Sequence, residues 1–433
     1  MKKQHIYTIS LGCPKNLVDT ERMLGTVSPY FTPVADIWRA DVVLINTCGF
    51  IQEAVEESIE EILNVCEEVK AITPPPLIVV TGCLLKRYGD ALIQEIPEVD
   101  LWIPLERQHK LGEILLKMKK IPEEEDKKIP RIITTGPSYA YLKIAEGCNH
   151  RCSFCTIPSI RGPFVSLPLN LVLDEAKRIV DMGIKEVIVV AQDLTYYGTD
   201  LGNKGLILEL LKRISEIKGL HWLRLLYLYP AGITRGLLEV LKDISPPFIP
   251  YFDIPFQHSH PDILRKMGRP FKREPQSIIE DIRSFFPDAA IRTSIIVGFP
   301  GEEERHFNHL VNWIEKTKFT HLGVFTYSDE EGTRAYSMRP KVDEEIKKQR
   351  RQVLMEIQKE ISRGYLQGLV GREMEVIIDH SSEQWPTLFE GRTWFQAPEI
   401  DGKSYVSGLN IRPGDLVKVQ IEDSWDYDLC GIV

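Results

Sequence analysis

Residues 141–155 read Tyr141-Leu142-Lys143-Ile144-Ala145-Glu146-Gly147-Cys148-Asn149-His150-Arg151-Cys152-Ser153-Phe154-Cys155, an apolar run that breaks at a glycine and opens into three cysteines. The run has the composition of a buried strand, and the loop after it places thiols at spacings of four and three. Thiolates so spaced can converge from one loop onto a single iron–sulfur cubane. Such clusters usually take four thiolates, so three leave one iron without a protein ligand. An open metal position is what substrate chemistry needs, by the logic that separates catalytic from structural zinc. A structural zinc site using the three cysteines and His150 is the alternative. Zinc sites more often pair two distant C-x2-C knuckles, and this sequence has no second knuckle downstream.

Downstream of this loop, strand-like runs alternate with helical patterns, with strand candidates at 141–145, 186–191, 222–228, 251–255, 292–298 and 321–327. Six βα units in succession predict a closed or partly open TIM-like (β/α)6 barrel, its active site at the C-terminal ends of the strands. Upstream, strand-like runs at 5–10, 41–46 and 77–81 flank a helical pattern in which Ile51, Val55, Ile59, Ile62, Leu63, Cys66 and Val69 mark one buried face. This alternation predicts a parallel α/β sheet. A charged helix over about 343–364 leads out of the barrel, and from Arg372 short β-rich runs (374–379, 404–406, 416–421) predict a small β-barrel of OB-like style. The fold class is α/β multidomain: an N-terminal α/β domain (1–121), a charged linker with prolines (122–137), a barrel core (138–368) and a β-barrel (369–433).

Cys13, Cys48 and Cys83 each lie just past the end of one N-terminal strand, 35 residues apart each time and each beside a glycine (Gly12, Gly49, Gly82). Parallel strands deliver their C-terminal loops to one sheet edge, so the three thiols are expected to meet and to hold a second cluster, the alternative being small buried cysteines. Cys66, on the apolar helix face, and Cys430 read as packing residues. The formal net charge of −9 opposes a broad grip on nucleic acid. Residues 369–433 carry five Lys/Arg against twelve Asp/Glu, a net of −7, which favours a basic partner. No apolar run is long enough to span a bilayer, and the first residues lack the apolar segment of a secretory signal. A cytoplasmic, reducing location is therefore expected, in which eight cysteines serve as ligands or thiols rather than disulfides.

Cys148-x3-Cys152-x2-Cys155, with Phe154 before the last cysteine, resembles the signature of the radical S-adenosylmethionine (SAM) enzymes. With the three N-terminal cysteines and the small β-barrel, nearly the whole chain is similar to the methylthiotransferases, whose C-terminal domain is a TRAM domain. The resemblance implies two 4Fe-4S clusters, one on Cys148, Cys152 and Cys155 and an auxiliary one on Cys13, Cys48 and Cys83, with no catalytic residue beyond these ligands. It also implies SAM contacts at Phe154, Gln192, Asp193, Ser294, Gly298 and Glu302, and a low-potential electron donor of flavodoxin or ferredoxin type. Leu11-Gly12-Cys13-Pro14-Lys15-Asn16, Asn46-Thr47-Cys48-Gly49-Phe50, Tyr251-Phe252-Asp253-Ile254-Pro255-Phe256-Gln257-His258 and Ala397-Pro398-Glu399-Ile400-Asp401-Gly402 resemble the RimO-like branch. That branch modifies the β-carbon of an aspartate in the twelfth protein of the small ribosomal subunit. The alternative branch, MiaB-like, modifies a tRNA adenosine, but an RNA-binding module would be expected to be basic.

Two departures stand out: Val165-Ser166-Leu167 where the family usually has Arg-Ser-Arg, and Gln396 where an aspartate is common. His258 and His260 invite a metal reading, but without a third ligand beside them in sequence a structural or substrate-contact role is favoured. Trp385, Trp394, Phe395 and Trp425 read as filling of the small barrel rather than as a base-stacking face.

Overall fold

The computed structural model describes residues 3–119 and 130–433. The chain forms two compact units, Met1–Thr134 with Cys155–Pro163, and Thr135–Phe154 with Phe164–Val433.

In the first unit a five-stranded parallel sheet runs in the order β2-β1-β3-β4-β5. Its strands are β1 (Gln4–Ser10), β2 (Phe31–Val34), β3 (Val42–Thr47), β4 (Leu77–Gly82) and β5 (Leu101–Ile103); its helices are α1 (Pro14–Val27), α2 (Gln52–Glu68), α3 (Cys83–Glu95) and α4 (Leu111–Lys119). The strand period of two sends Val43 and Ile45 into a core with α2 and α3, and Val42 and Leu44 into a second core with α1 and α4. With both faces covered, β3 is buried at every position, as a parallel sheet demands. Two strands escaped the sequence reading. Pro33 breaks the pattern of β2, an edge strand where a missing N–H is tolerated, and β5 is only three residues long. The apolar face of α2 is narrower than predicted, because Leu63 sits at the flank of the stripe and is exposed.

Part of the predicted linker, 122–129, lies outside the described residues. The chain immediately after it is packed: Arg131 Nε donates to buried Glu21 at 2.8 Å, and Ile132 N donates to the Glu21 carbonyl at 3.1 Å.

The second unit contains all six predicted strands: β6 (Tyr139–Lys143), then, past a two-stranded ribbon of β7 (Ala145–Glu146) and β8 (Val165–Ser166), β9 (Glu186–Val190), β10 (Trp222–Leu225), β11 (Phe248–Asp253), β12 (Ala290–Val297) and β13 (His321–Thr326). They form an open parallel sheet in sequence order, from β6 at one edge to β13 at the other. The helix Glu344–Gln367 leads to a closed five-stranded barrel of β14 (Glu373–Ser381), β15 (Phe389–Arg392), β16 (Ser404–Ser407), β17 (Leu416–Ser424) and β18 (Leu429–Ile432). The sequence reading missed β15 and β18, and Cys430 is a half-buried residue of β18.

The loop between β15 and β16 fastens the small barrel to the N-terminal ends of the large sheet's strands. Buried Glu186, the first residue of β9, accepts from Arg224 Nε and from Arg392 Nη1, each at 2.6 Å, and Arg392 also pairs with Asp379 at 2.7 Å. Asp401 accepts from Tyr251 Oη at 2.7 Å and lies 3.4 Å from both Arg292 and His321, while Glu399 accepts from Tyr139 Oη at 2.9 Å. Gln396, where an aspartate is common, keeps the acceptor role: its Oε1 receives Thr393 N at 3.0 Å and Ser404 Oγ at 2.8 Å.

Removing one member of a buried ion cluster strands the others. Glu186→Gln leaves Arg224 and Arg392 under-compensated, and a loss of roughly 3–5 kcal/mol is expected in urea unfolding of the full chain. A loss below about 1 kcal/mol would show that the cluster does not hold the barrel.

Candidate functional site

Cys13, Cys48 and Cys83 meet at the C-terminal edge of the first sheet. Cys13 is the N-cap of α1, and Cys83 opens α3 directly after Gly82. Two helix N-termini therefore aim their partial positive charge at the thiols, which favours thiolates and an anionic centre. Gly12 has φ +87°, and a Cβ there would lie 2.8 Å from both Cβ and Sγ of Cys48. Gly82 has φ +113°, and a Cβ there would lie 2.4 Å from the Thr47 carbonyl oxygen. These glycines let the strand-end loops approach one another. Asn16 ties the loops together, its Nδ2 donating to the carbonyls of Leu11 at 2.9 Å and Thr47 at 3.0 Å.

Burial alone would raise the Cys13 thiol, but the charges of Lys15 and Arg161 and the N–H groups of Asn16 and Lys15 bring it below its usual value. Burial raises Cys48 and pushes Cys83 up to about 11.

In the second unit, Cys148 and Cys152 lie in the loop beyond β6 and β7, past the C-terminal end of a strand as predicted. Burial pushes Cys148 up to about 11. Three groups that the sequence reading did not assign hold this loop. His150 Nε2 meets Asp193 Oδ2 at 2.6 Å, and its ring stacks on Tyr229 at 3.8 Å. Arg269, stacked over Tyr229 at 4.6 Å, donates from Nη1 to Cys152 Sγ at 3.5 Å. Ser153 donates from N to the Met267 carbonyl and from Oγ to the Lys266 carbonyl, each at 2.8 Å. With Nε2 engaged by Asp193, His150 does not offer that nitrogen to zinc. Only the contacts of the folded chain mark these residues; no sequence spacing does.

The residues expected to touch SAM divide into two sets. Gln192 lies just past β9, and its Oε1 is buried without a hydrogen-bond partner, an acceptor ready for a cationic donor. Phe154 packs against Met267, Phe299 and Tyr327; Ser294 lies on β12; Gly298 comes directly after β12 with φ +74°. Asp193 and Glu302 have their oxygens occupied. Asp193 Oδ1 accepts from Thr195 N at 2.9 Å and from Thr195 Oγ1 at 2.6 Å. Glu302, raised by burial, accepts from Gly298 N at 3.0 Å and from Arg350 Nη1 at 2.7 Å.

The histidines do have a third partner. Ligand atoms of His260, Asp262 and His306 lie within 4.8 Å of one another, the one such group among the described residues. The Nδ1 atoms of His260 and His306 accept backbone N–H from Asp262 and Glu303, at 3.2 and 2.9 Å, and Nδ1 of His258 accepts His260 N at 2.9 Å. Those bonds place the proton on each Nε2, so the rings present donors rather than lone pairs to a metal. The small barrel's aromatics depart from expectation. Phe395 is buried, but Trp385 and Trp425 are exposed, stacked at 6.2 Å with Tyr405 edge-on to both.

Family models match three stretches: uncharacterized protein family UPF0004 at residues 5–104, the radical SAM superfamily at 142–314 and the TRAM domain at 370–433. Among solved structures, the radical S-adenosylmethionine methyltransferase TsrM from Kitasatospora setae shares the fold, with TM-score 0.55 and 11% identity over 75% of this chain and 72% of that one. An open parallel barrel with a three-cysteine loop beyond its first strand defines a radical SAM enzyme, which uses an iron–sulfur cluster and SAM. The ribosomal protein uS12 methylthiotransferase RimO of Oleidesulfovibrio alaskensis is 49% identical over 430 residues, and that of Nitratidesulfovibrio vulgaris 50% over 430 residues, each match covering 99% of both chains. The enzyme of that name from Aquifex aeolicus is 43% identical over 98% of this chain and 96% of its own. The chain belongs to the RimO family of radical SAM methylthiotransferases.

Two outcomes are expected. Gly12→Ala, which drives a methyl group into Cys48, should lower the iron content of the reconstituted protein and leave the fold intact by circular dichroism; full iron content would refute the packing argument. Binding iron strips protons from thiols. Because Cys83 and Cys148 stand at about 11 in the metal-free chain, both are protonated at neutral pH. Ferrous-ion affinity of the metal-free protein should therefore rise with pH, by up to about tenfold per unit for each proton released. A pH-independent titration would contradict this.

Proposed function

We propose that this chain adds a methylthio group to the β-carbon of an aspartate in the twelfth protein of the small ribosomal subunit, giving β-methylthio-aspartate. The observation that carries the reading is a second set of thiols, Cys13, Cys48 and Cys83, at the edge of a parallel sheet, in addition to the cysteine loop of the radical SAM barrel. The relatives named above are called uS12 methylthiotransferases. In this reading residues 1–121 form the auxiliary-cluster domain, 138–368 the radical SAM core and 369–433 the TRAM-like barrel.

Two 4Fe-4S clusters and two molecules of SAM, when bound, would supply what an unactivated C–H bond needs: a hydrogen-atom acceptor made by one-electron reduction of SAM, a sulfur atom and a methyl group. The chain's part is holding and shaping. Cys148, Cys152 and Cys155 would hold the cluster that binds and cleaves SAM, and Cys13, Cys48 and Cys83 would hold the auxiliary cluster that supplies sulfur. Gln192 Oε1 accepts from the SAM ammonium, while Phe154, Ser294 and Gly298 line the bound nucleoside. Asp193 and Glu302 act through neighbours, Asp193 by fixing His150 within the cysteine loop and Glu302 by fixing the Gly298 turn. Tyr196, Phe164, Tyr229 and Phe271, in edge-on pairs at 5.1 and 5.9 Å, provide an apolar wall that keeps water out.

The substrate protein is basic and docks on the TRAM-like barrel. Exposed Trp385, Trp425 and Tyr427 stand on the same barrel as exposed Glu383, Glu422 and Asp423, a combination that receives Lys and Arg by charge and by cation–π contact. The electron donor is a low-potential protein of flavodoxin or ferredoxin type. The location is the cytoplasm, where the eight cysteines, none of them in a disulfide, stay reduced; among the described residues no helix is long and apolar enough to cross a membrane.

The test is anaerobic reconstitution with iron and sulfide, then incubation of the reduced enzyme and SAM with purified ribosomal protein and, separately, with tRNA. A methylthio mass gain on the protein's aspartate is expected, and a gain on tRNA alone would overturn the assignment. Cys48→Ala should still form 5′-deoxyadenosine but insert no sulfur; retained methylthiolation in that variant would remove the auxiliary role.

A further inference from the structure

The first unit buries an arginine that is neither a cluster ligand nor a SAM contact. Helix α5 (Ile157–Arg161) belongs to the segment Cys155–Pro163, which packs with the N-terminal sheet. The Arg161 side chain is 5% exposed, and its three nitrogens go to three places. Nε donates to Cys83 Sγ at 3.2 Å, Nη1 to Asp19 Oδ2 at 2.8 Å, and Nη2 to the side-chain oxygen of Asn16. Asp19 and Asn16 lie on α1, the helix that Cys13 caps.

A neutral thiol is a weak acceptor for a guanidinium donor, whereas a metal-bound thiolate is a charged and stronger one. The same segment is pinned at its other end, where Thr156 Oγ1 donates to the Phe50 carbonyl at 2.9 Å, two residues after Cys48. Cys155 therefore adjoins a segment whose two ends hold the Phe50 carbonyl and Cys83 Sγ.

We propose that Arg161 is the positioning residue of the auxiliary centre: it fixes the Cys83 thiolate against α1 and raises the reduction potential of the cluster held there. This rests on the auxiliary-cluster reading above. Hydrogen bonds to cluster sulfurs and nearby positive charge favour the reduced, more negative state, and residues just outside the ligand set orient and tune the ligands. Arg161 supplies both effects through one planar fork, a geometry that lysine does not reproduce.

The experiment uses the full chain carrying Cys148→Ala, Cys152→Ala and Cys155→Ala, so that iron loads only at the auxiliary triad. Arg161→Gln and Arg161→Lys are made in this background, and all three proteins are reconstituted anaerobically and titrated with EPR detection. The parent is expected to hold one cluster. Arg161→Gln should shift the midpoint to more negative potential, and Arg161→Lys, which keeps the charge and loses the fork, should fall between the two. Loss of the cluster from Arg161→Gln with unchanged circular dichroism and retention in Arg161→Lys would equally support positioning. Coincident midpoints in all three loaded proteins would overturn the role of Arg161 and leave the auxiliary cluster standing. A parent that loads no cluster would overturn the auxiliary reading itself, and this inference with it.

Discussion

Parallel pairing of β1, β3 and β4 brings residues 13, 48 and 83 to one edge of a sheet, although 35 residues of chain separate each from the next. Each βα unit returns the chain to the same side, so a ligand placed just past a strand recurs in space as it recurs in sequence. The register makes this close: Asn46 pairs with both Ser10 and Thr81, which aligns the three strand ends. Asn16, Asn46 and Gln108 then bridge the ends with amide hydrogen bonds, Asn46 Nδ2 donating to the Asn16 carbonyl at 2.9 Å and Gln108 Nε2 to Thr81 Oγ1 at 3.1 Å. Sliding any one of these strands by a residue would turn its interior side chains to the opposite core and carry its thiol away from the others.

The two thiol sites share a device. Each has one buried arginine with a donor on one cysteine: Arg161 on Cys83 at 3.2 Å and Arg269 on Cys152 at 3.5 Å. Each arginine is also held from behind, Arg161 by Asp19 and Asn16, and Arg269 by Tyr229 and the Pro255 carbonyl, which accepts from Nη2 at 2.7 Å. A centre with three thiolates and one open iron carries net negative charge, and burying charge is unfavourable unless it is paired. Under the two-cluster reading proposed above, the arginines would offset that cost from inside the protein.

The sequence made the cysteines, the six barrel strands and the parallel order readable because those features are periodic or local. What it hid was whatever depends on distant side chains meeting. Arg161, Arg269, His150 and Tyr229 stand in no spacing pattern, and only the folded chain puts them beside thiols. Asp193 and Glu302 illustrate the reverse. Position at a strand end marked them as ligand contacts, whereas in the structure Thr195, His150, Gly298 and Arg350 occupy their oxygens. Composition marks Trp385 and Trp425 as barrel filling, since it cannot say which side of a small barrel a ring faces.

The charge of the C-terminal barrel shows a related limit. A net of −7 reads as a surface made for a basic partner, yet several of its acids are paired with groups of the same chain. Asp379 and Arg392 join Glu186 and Arg224; Asp401 serves Tyr251, Arg292 and His321; Asp426 pairs with Arg363 at 2.7 Å and Lys359 at 2.8 Å. Glu390 is neutralised within the barrel by Lys403 at 2.6 Å. The acids left for an outside partner, Glu383, Glu422 and Asp423, share the barrel with the exposed tryptophans. One acidic composition thus has two consequences, fixing the barrel to the large sheet and leaving a smaller acidic, aromatic surface. In the proposed docking, affinity for a basic protein would then come from a few exposed groups and from ring faces rather than from net charge.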